Sequence, residues 1–418
     1  MQLKGTTAML RRLGLTLTAT ATLFIFCSSL TLAASKKPQL PDKFPPNPLE
    51  INTPDPLRPR SPKDKRPLSP EERQQLEASL DELNQQAAAK MQARDEIGAF
   101  DIWNRELRLR RFLGPLAEVE ALSRVGAIAW NANNRQEVQY ITQRLQTVQK
   151  QSQTQNTADL QFLQALGQAY QQVRSPKLAL AVYDQILASV RQLGDAAAEV
   201  ETLKTIGQTH LSWFDYPSAG GTYEKLLALA SSQGDRINEI AYLKQLAYIY
   251  DQAKQPENSL RVRNQLAKIY QSENNFAQLP DLKQEIASNY EALAKDNPGL
   301  LQEAFANYQV AYMTAWELQQ YVRAGEILRK LIALYRSQGQ IQEALQASQI
   351  LVQAEELSAN SYGLMTAYDQ IGQIHVQRKD YPQALKAFQK GLEIAQQLKH
   401  DEEYFTEQIQ QVSGQSTK

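Results

Sequence analysis

The sequence predicts an all-α protein in which helical hairpins follow one another along the chain. A marker position recurs at intervals of 40, 40, 40, 45 and 40 residues, and it is occupied by Gly167, Gly207, Ala247, Ala287, Ile332 and Gly372. A tyrosine or histidine ring stands three residues after each marker. Most units add a small residue twelve and an aromatic ring sixteen residues after it, with Arg263 and Ser348 as exceptions at the ring position. Small residues and rings at three- and four-residue spacing share one helix face, so each unit is predicted to be two closely packed helices.

Prolines mark the break between the two helices of a unit, because proline can begin a helix but cannot continue one. These prolines are Pro176, Pro217, Pro256, Pro298 and Pro382. Turn-like pairs such as Gly194-Asp195 and Gly234-Asp235 recur between units. In the unit of Ala287 the second small residue and ring, Ala304 and Tyr308, come five residues late, which places an insertion in the 45-residue interval.

Four segments carry the residues of a known repeat signature: Leu166-Gly167-Gln168-Ala169-Tyr170, Ile206-Gly207-Gln208-Thr209-His210, Ile371-Gly372-Gln373-Ile374-His375 and Ala384-Leu385-Lys386-Ala387-Phe388. They resemble the L-G-x-x-Y and A-x-x-x-F patterns of tetratricopeptide repeats, over roughly residues 120–412. The period of 40 exceeds the usual ~34, as in longer-repeat members similar to kinesin light chains. The resemblance implies a right-handed superhelical solenoid of about seven hairpins over residues 120–400, with a C-terminal capping helix and tail over 401–418.

The N-terminus predicts export. Lys4, Arg11 and Arg12 precede an apolar stretch over residues 13–34, so residues 1–34 are predicted to be a signal peptide, with retention of residues 13–34 as a membrane anchor as the alternative. The expected location is the periplasm or the thylakoid lumen. Cys27 is the only cysteine and lies in this segment, so the mature chain has no thiol for a disulfide, a metal or catalysis.

Residues 35–69 are predicted to be a disordered, proline-rich linker. Between Lys36 and Pro70 the chain has 11 of its 18 prolines and few large apolar residues. Such a segment forms an extended spacer of polyproline character, although recognition by a proline-binding partner is a second interpretation. Deleting Lys36 to Leu68 is therefore expected to leave the melting temperature nearly unchanged.

Residues 70–119 are predicted to be N-terminal capping helices. Ser69-Pro70-Glu71-Glu72 has the form of a capping box with proline at the first helical position, which predicts a helix from Pro70 to about Arg111. Gly114-Pro115 then breaks the chain. Ala127 and Trp130 stand one period before the next unit and predict a degenerate first repeat.

An arginine-rich apolar stretch lies within these capping helices. Its apolar residues are Phe100, Ile102, Trp103, Leu107, Leu109, Phe112 and Leu113, and its basic residues are Arg105, Arg108, Arg110 and Arg111. One interpretation is a cap whose apolar side packs on the first repeat and whose arginines are solvated. The other is a basic amphipathic helix that binds a partner or a lipid surface.

Composition and motifs argue against catalysis and against nucleic acid as a partner. The chain has 45 basic and 45 acidic residues, so its net charge creates no global field that favours nucleic acid. The sequence has no glycine-rich phosphate loop, no G-x-S-x-G elbow and no H-E-x-x-H motif. Its histidines are His210, His375 and His400, and the first two stand at a packing position of the repeat. We therefore expect no enzyme activity, no cofactor and no metal.

The resemblance implies a concave surface lined by the first helices of the hairpins. Its exposed positions fall three residues before and one residue after each marker: Gln164, Gln168, Lys204, Gln208, Lys244, Tyr248, Gln284, Ser288, Arg329, Ala333, Asp369 and Gln373. Amides can pair with the backbone of an extended peptide, and the cations can hold carboxylates. The lysine–asparagine clamp of chaperone-tail adaptors is not reproduced, because glutamine or tyrosine stands where asparagine is required.

The sequence thus predicts an exported, non-catalytic scaffold or adaptor that binds a protein partner in this groove. By analogy with exported tetratricopeptide proteins of photosynthetic cells, it would help to assemble or maintain a membrane complex. The alternatives are an envelope-associated structural protein that binds lipid or glycan, and an accessory subunit of an enzyme.

Overall fold

The computed structural model describes residues 47–51, 54–58, 66–155 and 159–416, which form helices and turns without a β-strand. The predicted all-α solenoid of helical hairpins is confirmed. The predicted signal peptide, residues 1–34, and the first part of the predicted linker lie outside the described residues.

Two helices precede the hairpins, α1 (Pro70–Gln92) and α2 (Glu96–Arg110), and α2 continues into a 3₁₀ turn over Arg111–Leu113. The predicted capping box is present: the Ser69 hydroxyl accepts from the Glu72 N–H at 3.2 Å, and the Glu72 carboxylate accepts from the Ser69 N–H at 2.7 Å. A single helix to about Arg111 was expected, and this prediction is wrong. Arg94 adopts a left-handed φ of 63° and the Asp95 side chain caps α2, so the chain breaks without a glycine or a proline.

Seven hairpins follow in the described residues. Their first helices are α3 (Pro115–Asn131), α5 (Leu160–Gln172), α7 (Ala196–Ser212), α9 (Arg236–Gln252), α11 (Leu279–Leu293), α13 (Tyr321–Ser337) and α15 (Ser361–Gln377). Their second helices are α4 (Arg135–Thr154), α6 (Pro176–Leu193), α8 (Tyr216–Gln233), α10 (Pro256–Ser272), α12 (Leu301–Glu317), α14 (Ile341–Leu357) and α16 (Tyr381–Leu398). A last helix, α17 (Glu402–Ser416), packs on α16.

Close contact between the marker glycine and the second ring holds the two helices of a hairpin together. A Cβ atom on Gly207 would lie 2.8 Å from the Tyr223 ring, and one on Gly372 would lie 2.5 Å from the Phe388 ring. Glycine therefore allows an approach that any larger side chain would prevent. The small residues and rings that recur in the sequence are thus the residues through which the two helices contact each other.

Left-handed residues end the helices at two fixed places in most units; the unit of Ala287 lacks the first, because Ala294 is right-handed. Seven residues after the marker they are Arg174, Phe214, Lys254, Gly339 and Lys379; twenty-seven residues after it they are Gly194, Gly234, Asn274, Ala359 and Lys399, with Gln319 delayed by the insertion. The next N–H then reaches back across the turn, as when Ser175 donates to the Tyr170 carbonyl at 2.8 Å. This is the Schellman arrangement, which satisfies carbonyls that the helix end leaves unpaired.

The first hairpin keeps the same turn geometry but is shifted by one residue from the prediction. Asn133 is its left-handed residue, which makes Gly126 the marker in place of Ala127. A Cβ atom on Gly126 would lie 3.4 Å from Ile141 in the second helix of the same hairpin, and 2.6 Å from Val173 at the end of α5 in the next hairpin. Trp130 consequently falls outside the ring position, is 44% exposed and stacks under Arg174 with 5.7 Å between the guanidinium carbon and the ring centroid.

Part of the predicted linker packs on the capping helices. We call residues 47–51 and 54–58 the strap. Leu49 is 0% exposed and belongs to the main core, and both oxygens of Asp55 accept from Arg105, at 2.8 and 2.9 Å. The expectation of a spacer with few buried contacts is corrected for these residues, because long-range contacts with α2 fix them in place.

The same contacts settle the orientation of α2. Its apolar residues Phe100, Trp103 and Leu107 are buried, so this face packs inward. The arginines are not simply solvated, as the cap interpretation had it. Arg105 holds Asp55, and Arg108 donates to the Pro48 carbonyl at 2.7 Å.

Candidate partner-binding groove

A stripe of polar side chains follows the first helices on the side that the second helices leave uncovered. Residues just before the marker, at the marker, and two and three residues after it are buried, as Leu166, Gly167, Ala169 and Tyr170 show. Positions three before and one after the marker lie on the opposite face, because a helix turns by 100° per residue. Exposed members of the stripe are Gln164, Gln168, Gln208, Lys244, Tyr248 and Ala333; half-buried ones are Lys204, Gln284, Ser288, Arg329, Asp369 and Gln373.

Three cavities lie along this stripe, and the first is between α3 and α5. Its volume is about 450 Å³, and its lining includes Gln168 with Ser123 and Ala127. With Gly126 as the marker, Ser123 and Ala127 take the two predicted groove positions of the first hairpin. Arg124 in the same wall is already paired, since it donates to both oxygens of Glu106 at 2.6 and 2.8 Å.

The second cavity, of about 390 Å³, lies between α9, α10 and α11 and contains the predicted residues Lys244 and Tyr248. Arg263, which replaces the second ring of its unit, also lines it and is only 7% exposed. This guanidinium donates to Asp251 at 2.7 Å and to Glu285 at 2.9 Å, so its charge is balanced. The Lys244 ammonium lies 5.9 Å from the centroid of the Tyr270 ring and stays on the exposed side.

The third cavity, of about 590 Å³, lies where the repeat is interrupted by the insertion, between α11, α12 and α13. Ser288 and Ala333 were predicted for this part of the groove. Lys295 and Lys330 were not, because they stand outside the two predicted positions. The 45-residue interval was the sequence signal that could have pointed to Lys295, because the insertion lengthens the turn between α11 and α12, which borders this cavity.

A partly buried carboxyl group lies in this third cavity. Burial raises the pKa of Glu291, and a hydrogen bond with Tyr308 and the nearby charge of Lys330 oppose that rise. Burial also raises the pKa of Tyr308 to about 12, and its hydroxyl lies 3.1 Å from that of Ser288. The wall thus combines two exposed cations with neutral hydrogen-bonding groups and one acid.

Arg329 does not belong to the accessible stripe in the way the sequence suggested. Its guanidinium donates to Glu355 of α14, a carboxylate that is only 2% exposed. The two other cations have no buried acidic partner. Lys204, whose side chain is about as exposed as that of Arg329, makes only a surface pair with Glu201 at 2.8 Å, which contributes little, and Lys244 faces Tyr270. The predicted row of three cations is corrected to two, with Lys330 as a third that the sequence did not reveal.

The end of the stripe is covered by α17. The Tyr404 hydroxyl donates to Asp369 at 2.8 Å, and the Gln373 amide donates to Tyr404 and to Gln408, each at 3.2 Å. Asp369 and Gln373 are therefore engaged within the chain. The accessible stripe runs from α3 to α13, and its role in binding stays a prediction.

The described part of the chain contains no group of three or more histidine, cysteine, aspartate or glutamate side chains placed to hold a metal ion. Across the same residues, no helix combines the length and the apolar character needed to cross a bilayer.

Comparison with known proteins agrees with the repeat. Residues 323–397, which span most of α13 to α16, match the family model of the tetratricopeptide repeat. No curated protein sequence is significantly similar to the chain.

Several solved structures show partial likeness. BtubC from P. vanneervenii is 17% identical, with 53% of this chain and 91% of that chain covered and a TM-score of 0.35. Aspartyl phosphate phosphatase F from Bacillus subtilis is 18% identical, with 70% and 82% covered and a TM-score of 0.37. The apo form of the quorum sensor NprR from B. thuringiensis is 14% identical, with 71% and 80% covered and a TM-score of 0.33. At these TM-scores the three structures support no statement about the function of this chain.

Proposed function

Because this chain is a tetratricopeptide-repeat protein, we propose that it is a non-catalytic adaptor that binds an extended segment of a partner protein along its first helices. The observation that carries this proposal is the coincidence of three cavities with one repeated surface stripe. Cavities that occur at several separate points along one surface stripe suit a ligand that is long and narrow. A compact small molecule would need convergent groups in one enclosed pocket.

The side chains of the stripe indicate the chemistry of the partner. Gln164, Gln168 and Gln208 offer amide donors and acceptors that match the backbone of an extended peptide. Lys204, Lys244 and Lys330 supply positive charge along the same side of the array, so the partner segment should carry carboxylates at intervals.

The place of action follows from the sequence of residues 1–34. We propose that the chain is exported to a periplasm or a thylakoid lumen, and that its partner belongs to a membrane complex, such as a photosynthetic one, that the adaptor helps to assemble or maintain. The envelope alternative has the arginine-rich helix bind lipid or polysaccharide, and an amphipathic helix that enters a lipid surface needs a free apolar face. That face packs inward, which favours the adaptor. An enzyme accessory subunit is a special case in which the partner is a catalyst.

The first experiment identifies the partner. A photo-cross-linking amino acid at Gln168, Tyr248 or Ala333 should capture one protein from solubilised membranes in stoichiometric yield. The same group at Lys225, which is exposed on a second helix, is the control and should not capture it. Capture at Lys225 with none at the three stripe positions would contradict the proposal.

The second experiment tests the charge of the stripe with that partner. Changing Lys204, Lys244 and Lys330 to alanine should weaken binding, and the loss should be smaller at high salt because the contacts are screened. The matched control replaces Lys177, Lys225 and Lys268, which are exposed on second helices. Neither variant should lose much stability, because all six lysines lie at the surface and substitutions there usually cost under about 0.5 kcal/mol each. Equal affinities of the two triple variants by calorimetry would exclude the stripe as the recognition surface.

A further inference from the structure

A small cavity between the strap and the end of α2 is independent of the groove. Its volume is about 220 Å³. The strap contributes Ile51, Asp55 and Arg58, and α2 with its 3₁₀ turn contributes Arg108, Leu109, Arg111 and Phe112. Three guanidinium groups therefore line a space that also has one carboxylate.

The carboxylate, that of Asp55, is already paired with an arginine outside the cavity. Both oxygens of Asp55 accept from Arg105, at 2.8 and 2.9 Å, in the two-point geometry that matches a guanidinium to a carboxylate. Arg105 is not one of the three arginines that line the cavity. The lining thus has three positive charges and no acid that is free to balance them.

The hydrogen bonds of the three arginines do not compensate their positive charge either. Arg108 and Arg111 donate to the neutral carbonyls of Pro48 and Leu49. The Nε of Arg58 is buried and has no hydrogen-bond acceptor among the described residues, and its guanidinium carbon lies 5.0 Å from the centroid of the Phe112 ring.

The acids behind Arg111 are shared with another cation. The Arg111 Nε lies 3.3 Å from Glu118, but Glu118 accepts two hydrogen bonds from Arg144, at 2.6 and 3.1 Å. The exposed Glu50 is shared in the same way, because its carboxylate lies 3.9 Å from Arg111 and 3.4 Å from Arg144. Burial lowers the pKa of Arg111, and repulsion from Arg144 lowers it further. Burial likewise lowers the pKa of Arg108. Desolvated cations of this kind are costly unless an anion compensates them.

We propose that this cavity binds a phosphate group, either as a free ion or as the headgroup of a phospholipid. Guanidinium groups donate paired N–H bonds to the oxygens of phosphate or carboxylate. Three of them are better matched by a tetrahedral anion with several acceptor oxygens than by a carboxylate with two. The volume is about seven times the ~30 Å³ that one water occupies in the liquid, which leaves room for such an ion.

Arg58 provides the sharpest test. Its side chain makes no hydrogen bond with the described residues, and its backbone N–H donates to the Asp55 carbonyl whatever the side chain is. Arg58→Gln therefore removes one charge while the bonds that hold the strap to Arg105, Arg108 and Arg111 remain. Arg73→Gln is the control, because Arg73 is an exposed arginine of α1 that pairs with Glu77. Titration calorimetry with inorganic phosphate should show binding to the wild type and to Arg73→Gln with equal affinity. Arg58→Gln should bind about tenfold more weakly, which corresponds to about 1.4 kcal/mol.

Thermal melting provides a second measurement. Because each variant is compared with itself, with and without phosphate, the variants need not be equally stable at the start. Phosphate should raise the melting temperature of the wild type and of Arg73→Gln, because a ligand of the folded state stabilises it. The rise should be much smaller in Arg58→Gln. The proposal is overturned if the wild type gives neither heat nor a melting shift with phosphate and does not bind phosphate-bearing vesicles, or if Arg58→Gln responds like the wild type.

Vesicles distinguish the two sources of phosphate. Vesicles of phosphatidylcholine with phosphatidic acid are compared with vesicles of phosphatidylcholine alone. If the site takes a headgroup, the wild type binds the first kind more tightly than Arg58→Gln does, and free phosphate competes. If only free phosphate binds at Arg58, the ligand is the ion itself.

Discussion

At the scale of single residues, the marker glycines show how a missing side chain stabilises this fold. Gly207 faces the Tyr223 ring, and its nearest contact beyond that ring is Thr222, 3.5 Å from where a Cβ would stand. Gly221, in the same hairpin, would place a Cβ in open space. Substitution of Gly207 therefore tests the close packing of the two helices, whereas substitution of Gly221 tests helix propensity alone.

We predict that Gly207→Leu lowers the free energy of unfolding by about 1–3 kcal/mol, because the larger side chain forces α7 and α8 apart. Gly221→Leu should be neutral or stabilising, since an exposed helical glycine costs about 0.5–1 kcal/mol relative to a better helix former. Urea denaturation of both variants measures the difference. Equal midpoints would mean that Gly207 is not the close-contact residue.

Glu355 shows where reasoning from sequence reached its limit. Arg329 stands at the correct offset for the groove, but its partner is 26 residues away on α14, and no local pattern links the two. Burial raises the pKa of Glu355, while the charge of Arg329 and the hydrogen bond from Asn360 oppose that rise. An acid with a raised pKa in the folded state favours folding when protonated, and this advantage is lost as the pH rises through the folded pKa.

We predict that removing Arg329 makes stability depend more strongly on pH. Without its partner the Glu355 carboxylate is buried and unbalanced, so Arg329→Ala should cost about 1–3 kcal/mol at neutral pH and less below the ordinary pKa of 4.5, where Glu355 is protonated. Denaturant titrations at several pH values check this, with the exposed Arg336→Ala as control. If the cost of Arg329→Ala is the same at all pH values, Glu355 does not titrate with folding.

At the scale of elements, the strap joins the folded core although its composition resembles that of a spacer. Leu49→Ala should cost about 2–5 kcal/mol, because it removes a fully buried side chain. Ile51→Ala, two residues further on, should cost little, because Ile51 is 39% exposed. Thermal melting compares them. Two equally small effects would restore the expectation that this segment contributes nothing to stability.

The elements differ in how far the sequence could predict them. Some features depend only on residues that are close in sequence, so local patterns were enough to predict them. They are the capping at Ser69, the helices that begin with proline and the insertion after Ala287. The strap depends on Arg105 and Arg108, which are 50 and 60 residues from their partners. The break after α1 uses Arg94 in a left-handed conformation, which non-glycine residues adopt only when the surrounding contacts favour it.

At the scale of the whole molecule, each hairpin packs on its neighbours in sequence, so stability is expected to be local. Phe405 of α17 is buried and lies against Gly391 of α16. Phe405→Ala should lower the free energy of local unfolding of the last hairpin by about 3–5 kcal/mol. Amide exchange should then become faster in α15 and α16 and stay unchanged in α5 to α8.

The exposed Thr406→Ala is the control for this experiment and should leave exchange unchanged throughout. Uniform loss of protection from α3 to α17 in Phe405→Ala would show that the array unfolds as one cooperative unit.

The buried charges have a consequence for how such similar units avoid assembling in the wrong order. Hairpins that share one packing pattern could stack on a neighbour that is not their own. Arg263 of α10 needs Glu285 and Asn289 of α11, and in any other pairing its guanidinium would lose these partners. Glu355 likewise fits against Gly363 of α15, where a side chain larger than glycine would collide with it. Stacking on a wrong neighbour would therefore leave a buried charge without its partner. This cost disfavours shuffled or domain-swapped arrangements that the apolar contacts alone would tolerate.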